Sequence, residues 1–397
     1  MDLNTRKNNQ KNFLIISYLY YPSKKIGAQR WTKIGKSLKN KNINLFVLST
    51  NCGSELNDQH FFFKTSYPAK VLKSNPATFF QKIKYNFWIK ILPLFTHFNF
   101  YDIAVFDKKT ILKKANKIIQ QNNIDVVIAS GAPFSICYYT AQLKKNYDNL
   151  KVINDFRDPW TWNNRYGYNL LSATKKIKEN DAEKYVIENS DYITTPVEPM
   201  CTYLRSKYPN HSKKIKILPH FFDFDSMSKI KKKSKKSNTL SFIYGGTIYD
   251  GTLDWYETFA KTVVNNIKDV SFNIYSQSLS SDSNSQSGLL NFRKGIKEEN
   301  LLQKIENASF YLACYPEIEK DFVSTKFYQI IFLKTPIILI APRGELSKFI
   351  INHDIGIHIL PDKIHTFKLN MIKRDFSFNI QIQNYSLDKV TDYLLSL

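Results

Sequence analysis

Short unbroken apolar runs alternate with amphipathic stretches along nearly the whole chain, and this alternation predicts an α/β fold. Residues 13–18 (FLIISY) and 43–49 (INLFVLS) have the continuous apolar character of strands buried on both faces. Between them the loop YYPSKKIGAQRW leads into a helix over 31–38. Strand, crossover helix and strand make one βαβ unit, whose right-handed crossover implies a parallel sheet. Further strands are expected at 125–130 (DVVIAS), ending in the turn Gly131-Ala132-Pro133, at 152–154, running into DFRDPW, and at 192–195 and 215–218. A polar, lysine-dense stretch, 226–238, interrupts the pattern.

The alternation then restarts. Strand 240–244 meets the turn Gly245-Gly246, followed by a helix over 253–264 and a strand over 271–275. After a serine-rich tract (276–287) and a short strand near 289–292, residues 310–341 read as strand, acidic loop, helix (326–333) and strand (337–341). Thr335 and Pro336 end that last helix, and Ser324 and Thr325 stand where its N-cap belongs. Two α/β halves of similar size imply two Rossmann-like, doubly wound domains facing a cleft. The boundaries expected are 1–223, a linker over 224–238, a second domain over 239–380, and a C-terminal helix over 381–397. Ligands of such folds sit at the C-terminal ends of the strands, so the loops just named are where chemistry is expected. A helix N-terminus at a sheet edge suits an anion, because free N–H groups and the helix dipole both face it.

Composition narrows the class. At 397 residues, 43% hydrophobic and 15% aromatic, the chain can bury two cores and is not globally disordered. Cys52, Cys137, Cys201 and Cys314 form no C-x-x-C, and the seven histidines form no H-x-x-x-H pair. No disulfide framework or protein-held metal is expected, and a reducing cytoplasm fits. The polar opening MDLNTRKNNQKN lacks the features of a signal peptide, and no run is long enough for a membrane span. A formal charge of +23 leaves three readings: lysine-rich drift, an anionic membrane surface, or nucleic acid. The basic residues are dispersed and accompany no recognised motif, so nucleic acid is not expected as a partner. Residues 79–91 (FFQKIKYNFWIKI) place Phe79, Phe80, Ile83, Phe87 and Ile91 at helical spacing with Lys82, Lys84 and Lys90 around them. That pattern suits acidic lipid, and still better a helix packed on its own domain.

Several segments, in order, resemble the GT-B glycosyltransferases of family 4, in particular the bacterial members that build capsule, lipopolysaccharide and other envelope sugars. They are YLYYPSKKIGAQRW, SGAPFS, NDFRDPWT, KILPHFFDFD, FIYGGTIYDG and DFVSTKFYQIIFLKTPII. The resemblance implies the two-domain GT-B fold, with the C-terminal helix crossing back to the first domain. It implies transfer of a sugar from a nucleotide-diphosphate sugar, with retention, without a cofactor or protein-bound metal, to a lipid-linked or growing glycan. The enzyme would work in the cytoplasm or peripherally on the inner face of the membrane.

Donor binding would then fall to Gly245, Gly246, Thr247, Ser324, Thr325, Lys326 and Gln329, with Gly27 closing on the same diphosphate. The catalytic candidates are Asp155, Asp158 and Asp321, and the acceptor side would comprise Arg157, Trp160, Ser130 and Gly131. The family's two glutamates, seven residues apart, are replaced here by Asp321 and Gln329, and the Arg and Lys after its glycine turn by Thr247 and Ile248. Arg293 or Lys294 would compensate. DFRDPW also has a structural reading, in which Asp158-Pro159 starts a turn and Arg157 makes an ion pair. Two further functions compete: a nucleotide-sugar epimerase, which needs no acceptor, and a non-catalytic subunit that binds glycan or a partner.

Overall fold

The computed structural model describes residues 10–23, 25–50, 59–73, 76, 78–95, 102–231, 239–276 and 288–397. The chain divides into two units, Met1–Pro219 with Thr391–Leu397, and His220–Val390. The first is built on β1 (Asn12–Ser17), α1 (Ile26–Asn40), β2 (Asn44–Ser49), β3 (His60–Phe62), α2 (Tyr67–Lys73), α3 (Phe79–Phe95), α4 (Lys108–Asn122), β4 (Val126–Gly131), α5 (Phe134–Leu143), β5 (Lys151–Phe156), α6 (Ala173–Glu188), β6 (Tyr192–Thr195), α7 (Glu198–Lys207) and β7 (Ile215–Ile217). Its seven strands run parallel in the order β3-β2-β1-β4-β5-β6-β7.

The second unit comprises α8 (Phe224–Met227), β8 (Leu240–Gly245), α9 (Leu253–Val264), β9 (Val270–Ser276), β10 (Leu290–Lys294), α10 (Glu298–Asn307), β11 (Phe310–Cys314), α11 (Thr325–Phe332), β12 (Ile337–Ile340), α12 (Glu345–Asn352), β13 (Gly356–Ile359) and the start of α13 (Leu387–Ser396). Its six strands are parallel in the order β10-β9-β8-β11-β12-β13. Both orders reverse direction once, between β1 and β4 in the first sheet and between β8 and β11 in the second. Those are the topological switch points at which doubly wound folds bind ligands.

The strands form where the sequence is apolar on both faces, and β4, β11 and β12 are buried at every position. Helices cover the sheets through one face. In α1, Ala28, Trp31, Ile34 and Leu38 are all fully buried at helical spacing, and α9 presents Tyr256, Phe259, Ala260 and Val263 in the same way. Each such Leu, Ile or Phe contributes about 1.5–3 kcal/mol by leaving water.

α1 begins before the expected 31–38, because Ile26–Arg30 already has helical backbone ahead of Trp31. Within the stretch read as a linker, Met227 and Ile230 are buried in the core of the second unit. Lysines around them hid that pattern, and residues 232–238 lie outside the described residues, as do Cys52 and 277–287 of the serine-rich tract. The end of the chain returns to the first unit. Lys41 Nζ pairs with Asp392 at 2.7 Å, and Lys151 Nζ donates to the Leu397 carbonyl at 2.8 Å.

Candidate functional site

At the switch point of the second sheet, β8 ends in Gly245 and the chain turns at Gly246. At either position a side chain would press on a neighbouring one. A Cβ on Gly245 would lie 2.4 Å from Leu301 Cδ2, and one on Gly246 2.9 Å from the Tyr244 hydroxyl. That hydroxyl donates to the Thr247 carbonyl at 2.6 Å, which closes the turn, and Tyr311 donates to the Gly245 carbonyl at 3.2 Å from β11. The Gly246 N–H is held by the Tyr275 carbonyl at 3.0 Å; Gly246 is half-buried and Thr247 exposed, so the turn lets a ligand come close to the chain.

α11 starts beside it. Ser324 is the N-cap, extended at φ −78° and ψ 162°, and makes no side-chain capping bond. The Phe327 N–H is taken by the Ser324 carbonyl at 3.0 Å, and the N–H groups of Thr325 and Lys326 are left for another acceptor. Lys326, in its first turn, donates its ammonium to the Gly245 carbonyl. Burial lowers its pKa, partly opposed by the Glu298 carboxylate. A partly desolvated ammonium beside a glycine turn and an uncapped helix N-terminus makes a cradle for a phosphate group.

Gln329 is buried one turn further on, and its Nε2 donates to Glu298 Oε1 at 2.5 Å. Glu298, on the first turn of α10, is exposed. Asp321 does something different. Its Oδ1 accepts the Glu345 backbone N–H at 2.8 Å and so caps α12. Arg293 lies on β10 against Asn273 Oδ1 at 3.3 Å and lines a groove of about 340 Å³ with Tyr275, Lys304 and Asn307.

In the first unit the polar residues of DFRDPW gather at the ends of β4 and β5. Asp155 is fully buried. Its Oδ2 accepts from Arg30 Nε at 3.2 Å and Trp31 Nε1 at 2.9 Å, and its Oδ1 from Thr194 Oγ1 at 2.8 Å. Arg30 carries on to the carbonyls of Leu218, at 2.7 Å, and Pro219, at 3.0 Å. An acceptor hydroxyl has no route to this carboxylate, which ties α1, β5, β6 and the end of β7 together.

Arg157 pairs with Asp158 and donates to the Gly27 carbonyl at 2.8 Å. Asp158 also accepts from the Ala132 N–H at 3.4 Å. Gly27, Arg157, Asp158 and the Gly131-Ala132-Pro133 turn thus form one cluster. Ser130 sits at the same edge, buried and with its Oγ unpartnered. Trp160 faces inward, stacked on Phe134 at 4.8 Å, and its indole N–H donates to Glu179 Oε2 at 2.6 Å.

No model of a known protein family matches the chain, and no curated protein matches it. Solved structures do. An α,α-trehalose-phosphate synthase (UDP-forming) from Burkholderia vietnamiensis superposes with a TM-score of 0.65 at 8% identity, covering 98% of both chains. A trehalose-6-phosphate structure from E. coli, bound with UDP-2-fluoro glucose, gives 0.64 at 9% identity, covering 97% of this chain and 98% of its own. A trehalose-6-phosphate synthase studied for glycosyl transfer with retention gives 0.63 at 11% identity over 96% and 98%. The fold is GT-B.

The GT-B frame places the Gly245-Gly246 turn and α11 together in one unit, and Asp155, Arg157, Asp158, Ser130 and Gly131 together in the other. Sequence reading missed Arg30, Trp31 and Thr194 around Asp155, and Glu298 beside Gln329. The first three lie 125, 124 and 39 residues from their partner in the chain, and Glu298 lies 31 from Gln329. Only the DFRDPW acids hinted that a buried cation was needed. A second missed cluster is on α6, where Glu179 and Glu183 are buried. Glu183 accepts from Lys207 Nζ at 2.6 Å and Tyr208 Oη at 2.9 Å, and Glu179 is pushed up to about 8 by burial.

Proposed function

We propose that the protein is a retaining glycosyltransferase of family 4 type, moving a sugar from a nucleotide-diphosphate sugar to a lipid-linked or growing envelope glycan without a protein-bound metal. The observation that carries this is the cradle at the switch point of the second sheet: Gly245-Gly246, the uncapped start of α11 and the half-buried Lys326. Sugar transfer releases a nucleoside diphosphate, so a site must stabilise charge growing on a leaving phosphate. Preoriented N–H groups and one ammonium supply that stabilisation. The similar structures include one that is UDP-forming, one bound with UDP-2-fluoro glucose and one studied for transfer with retention, which favours a nucleotide-sugar donor here.

The first unit serves the acceptor in this reading. The Arg157–Asp158 pair and Ser130 border it, and Asp155 acts by positioning Arg30 and Trp31. Among the described residues no helix is long and apolar enough to cross a membrane. A lipid-linked acceptor then requires docking from the cytoplasmic side, for which α3 is the candidate: Phe79, Phe80, Ile83 and Phe87 are exposed on it.

A thermal-shift panel of UDP, GDP, ADP and CMP with their sugar conjugates tests the donor site. A ligand at ~100 times its Kd stabilises the fold by about 2.7 kcal/mol, and Gly246→Asp, which sets a carboxylate in the cradle, should abolish that response. No response to any nucleotide would favour the non-catalytic reading. Turnover of donor alone, with no acceptor, would favour an epimerase.

A further inference from the structure

The groove of about 340 Å³ beside Arg293 lies on one face of the second sheet, between its β10 edge and α10. Side chains of β10 alternate between the two faces. Leu290 and Phe292 pack with the core, whereas Arg293 is exposed on the other side, in register with Tyr275 of β9. Asn273, two residues back on β9, shares that face and accepts from Arg293 Nε at 3.3 Å. Across the groove, α10 buries Leu301 and Ile305 and sets Lys304 and Asn307, one turn apart, along the rim. The groove reaches down to Ser241, near the start of β8 and so at the opposite end of that strand from Gly245. Its volume is at the small end of the range of about 300–1,000 Å³ that small-molecule sites span.

The lining carries two cations and no acid. Lys304 Nζ stands 5.8 Å from the centre of the Tyr275 ring and, among the described residues, has no carboxylate partner. Arg293 gives its Nε–H to Asn273, and its terminal N–H groups meet no acceptor among the described residues. Tyr275 is only 7% exposed, yet its hydroxyl makes no hydrogen bond with any described residue. A buried hydroxyl normally has a partner, and here the groove is where one would come from.

A guanidinium, an ammonium and a phenol are all donors, and an oxyanion is the acceptor that such a set selects. The fork of Arg293 fits two oxygens of a phosphate or carboxylate, and Lys304 adds a point charge. An inorganic anion would use only that end of the groove. The carboxamides of Asn273 and Asn307 line the rest, and a carboxamide both donates and accepts, as hydroxyl groups require.

We propose that this groove is a second ligand site, and that it binds a sugar bearing an oxyanion through Arg293, Lys304 and the Tyr275 hydroxyl. The oxyanion is either a phosphate or a carboxylate, and the amides take the sugar hydroxyls. Arg293 then serves this ligand instead of compensating at the glycine turn. The site stands independently of the donor reading above.

Isothermal titration of the full chain with glucose 6-phosphate, glucuronate, glucose and inorganic phosphate tests it. Wild type should bind one of the two charged sugars at least ~tenfold more tightly than glucose or phosphate, and the tighter of the two names the oxyanion. Arg293→Gln and Lys304→Gln, both at exposed positions, should each weaken that sugar by ~tenfold or more, the worth of a charge-assisted hydrogen bond. Tyr275→Phe keeps the ring and should cost a smaller factor. Lys326→Met, in the phosphate cradle, should leave the affinity unchanged. Wild-type affinity in both Arg293→Gln and Lys304→Gln overturns the proposal, as does a wild-type chain that binds neither charged sugar. Weakening by Lys326→Met alone would put the ligand in the cradle and overturn it too.

Discussion

The ends of the two parallel sheets hold similar kinds of residue and use them in opposite ways. In the first unit the most conspicuous acid, Asp155, has both oxygens taken by Arg30, Trp31 and Thr194 and is closed to solvent. In the second, Lys326 is half-buried against one carbonyl, the N-cap side chain of α11 is unused, and Glu298 faces solvent with one oxygen oriented. A saturated cluster holds a fold together, whereas groups left partly unsatisfied are available to a ligand. The same position in a doubly wound sheet therefore does not imply the same role.

The comparison breaks most sharply by substitution at its two centres. Asp155→Ala leaves Arg30 buried without its counter-charge, and breaking a buried ion pair from one side costs roughly 3–5 kcal/mol. The apo protein should unfold at clearly lower denaturant concentration. Lys326→Met removes a buried ammonium, so the melting temperature should hold or rise while nucleotide binding weakens by ~tenfold or more. An Asp155→Ala protein of normal stability with a specific loss of turnover would instead make Asp155 a catalytic group.

Glu179 sharpens the first half of the comparison through pH. Its carboxyl, buried against the Trp160 indole, is pushed up to about 8, whereas an unfolded glutamate titrates near ~4.3. Between those values the folded chain keeps a proton that the unfolded chain releases. The stabilisation is full below the unfolded pKa and is lost as pH rises through about 8. Wild type should lose roughly 2–3 kcal/mol between pH 6 and pH 9 from this group, and Glu179→Gln should remove that slope. Denaturant melts at the two pH values read it directly. An equal slope in both proteins would mean that Glu179 does not titrate there.

Much of the fold was legible in the sequence because its strands are continuous apolar runs. The second unit's α9, expected over 253–264, is observed as Leu253–Val264, and β6 falls on the expected 192–195. Two of the missed elements lack that signature. β3 is three half-exposed residues, and α6 carries Glu179 and Glu183 at positions where a core helix normally shows apolar ones. At the candidate site, the loops were legible from their glycines, serines and acids. The partners were not, because a hydrogen bond between Arg30 and Asp155 spans 125 residues and leaves no local spacing to read. Asp321 shows the same limit: its spacing to Gln329 suggested a ligand contact, and its Oδ1 instead caps α12.

α3 inverts the Asp155 cluster, placing apolar groups outside where that cluster places polar ones inside. Phe79 and Phe80 are each 74% exposed and Phe87 55%. From Gln59 to Tyr101 the sequence has Lys64, Lys70, Lys73, Lys82, Lys84 and Lys90 and no acid at all. Trp88 is different, packed edge-on against Phe106 at 5.8 Å and half-buried. Changing Phe79, Phe80 and Phe87 to Ser should therefore leave the melting temperature almost unmoved, because little buried area is lost. The same change should release the protein from vesicles containing acidic lipid, and wild-type binding should weaken with added salt. Trp88→Ser should lower the melting temperature, because it removes a packed ring. Co-sedimentation of the triple variant at the wild-type level would assign the exposed phenylalanines to a partner other than lipid, and the acceptor would then have to reach the enzyme from solution.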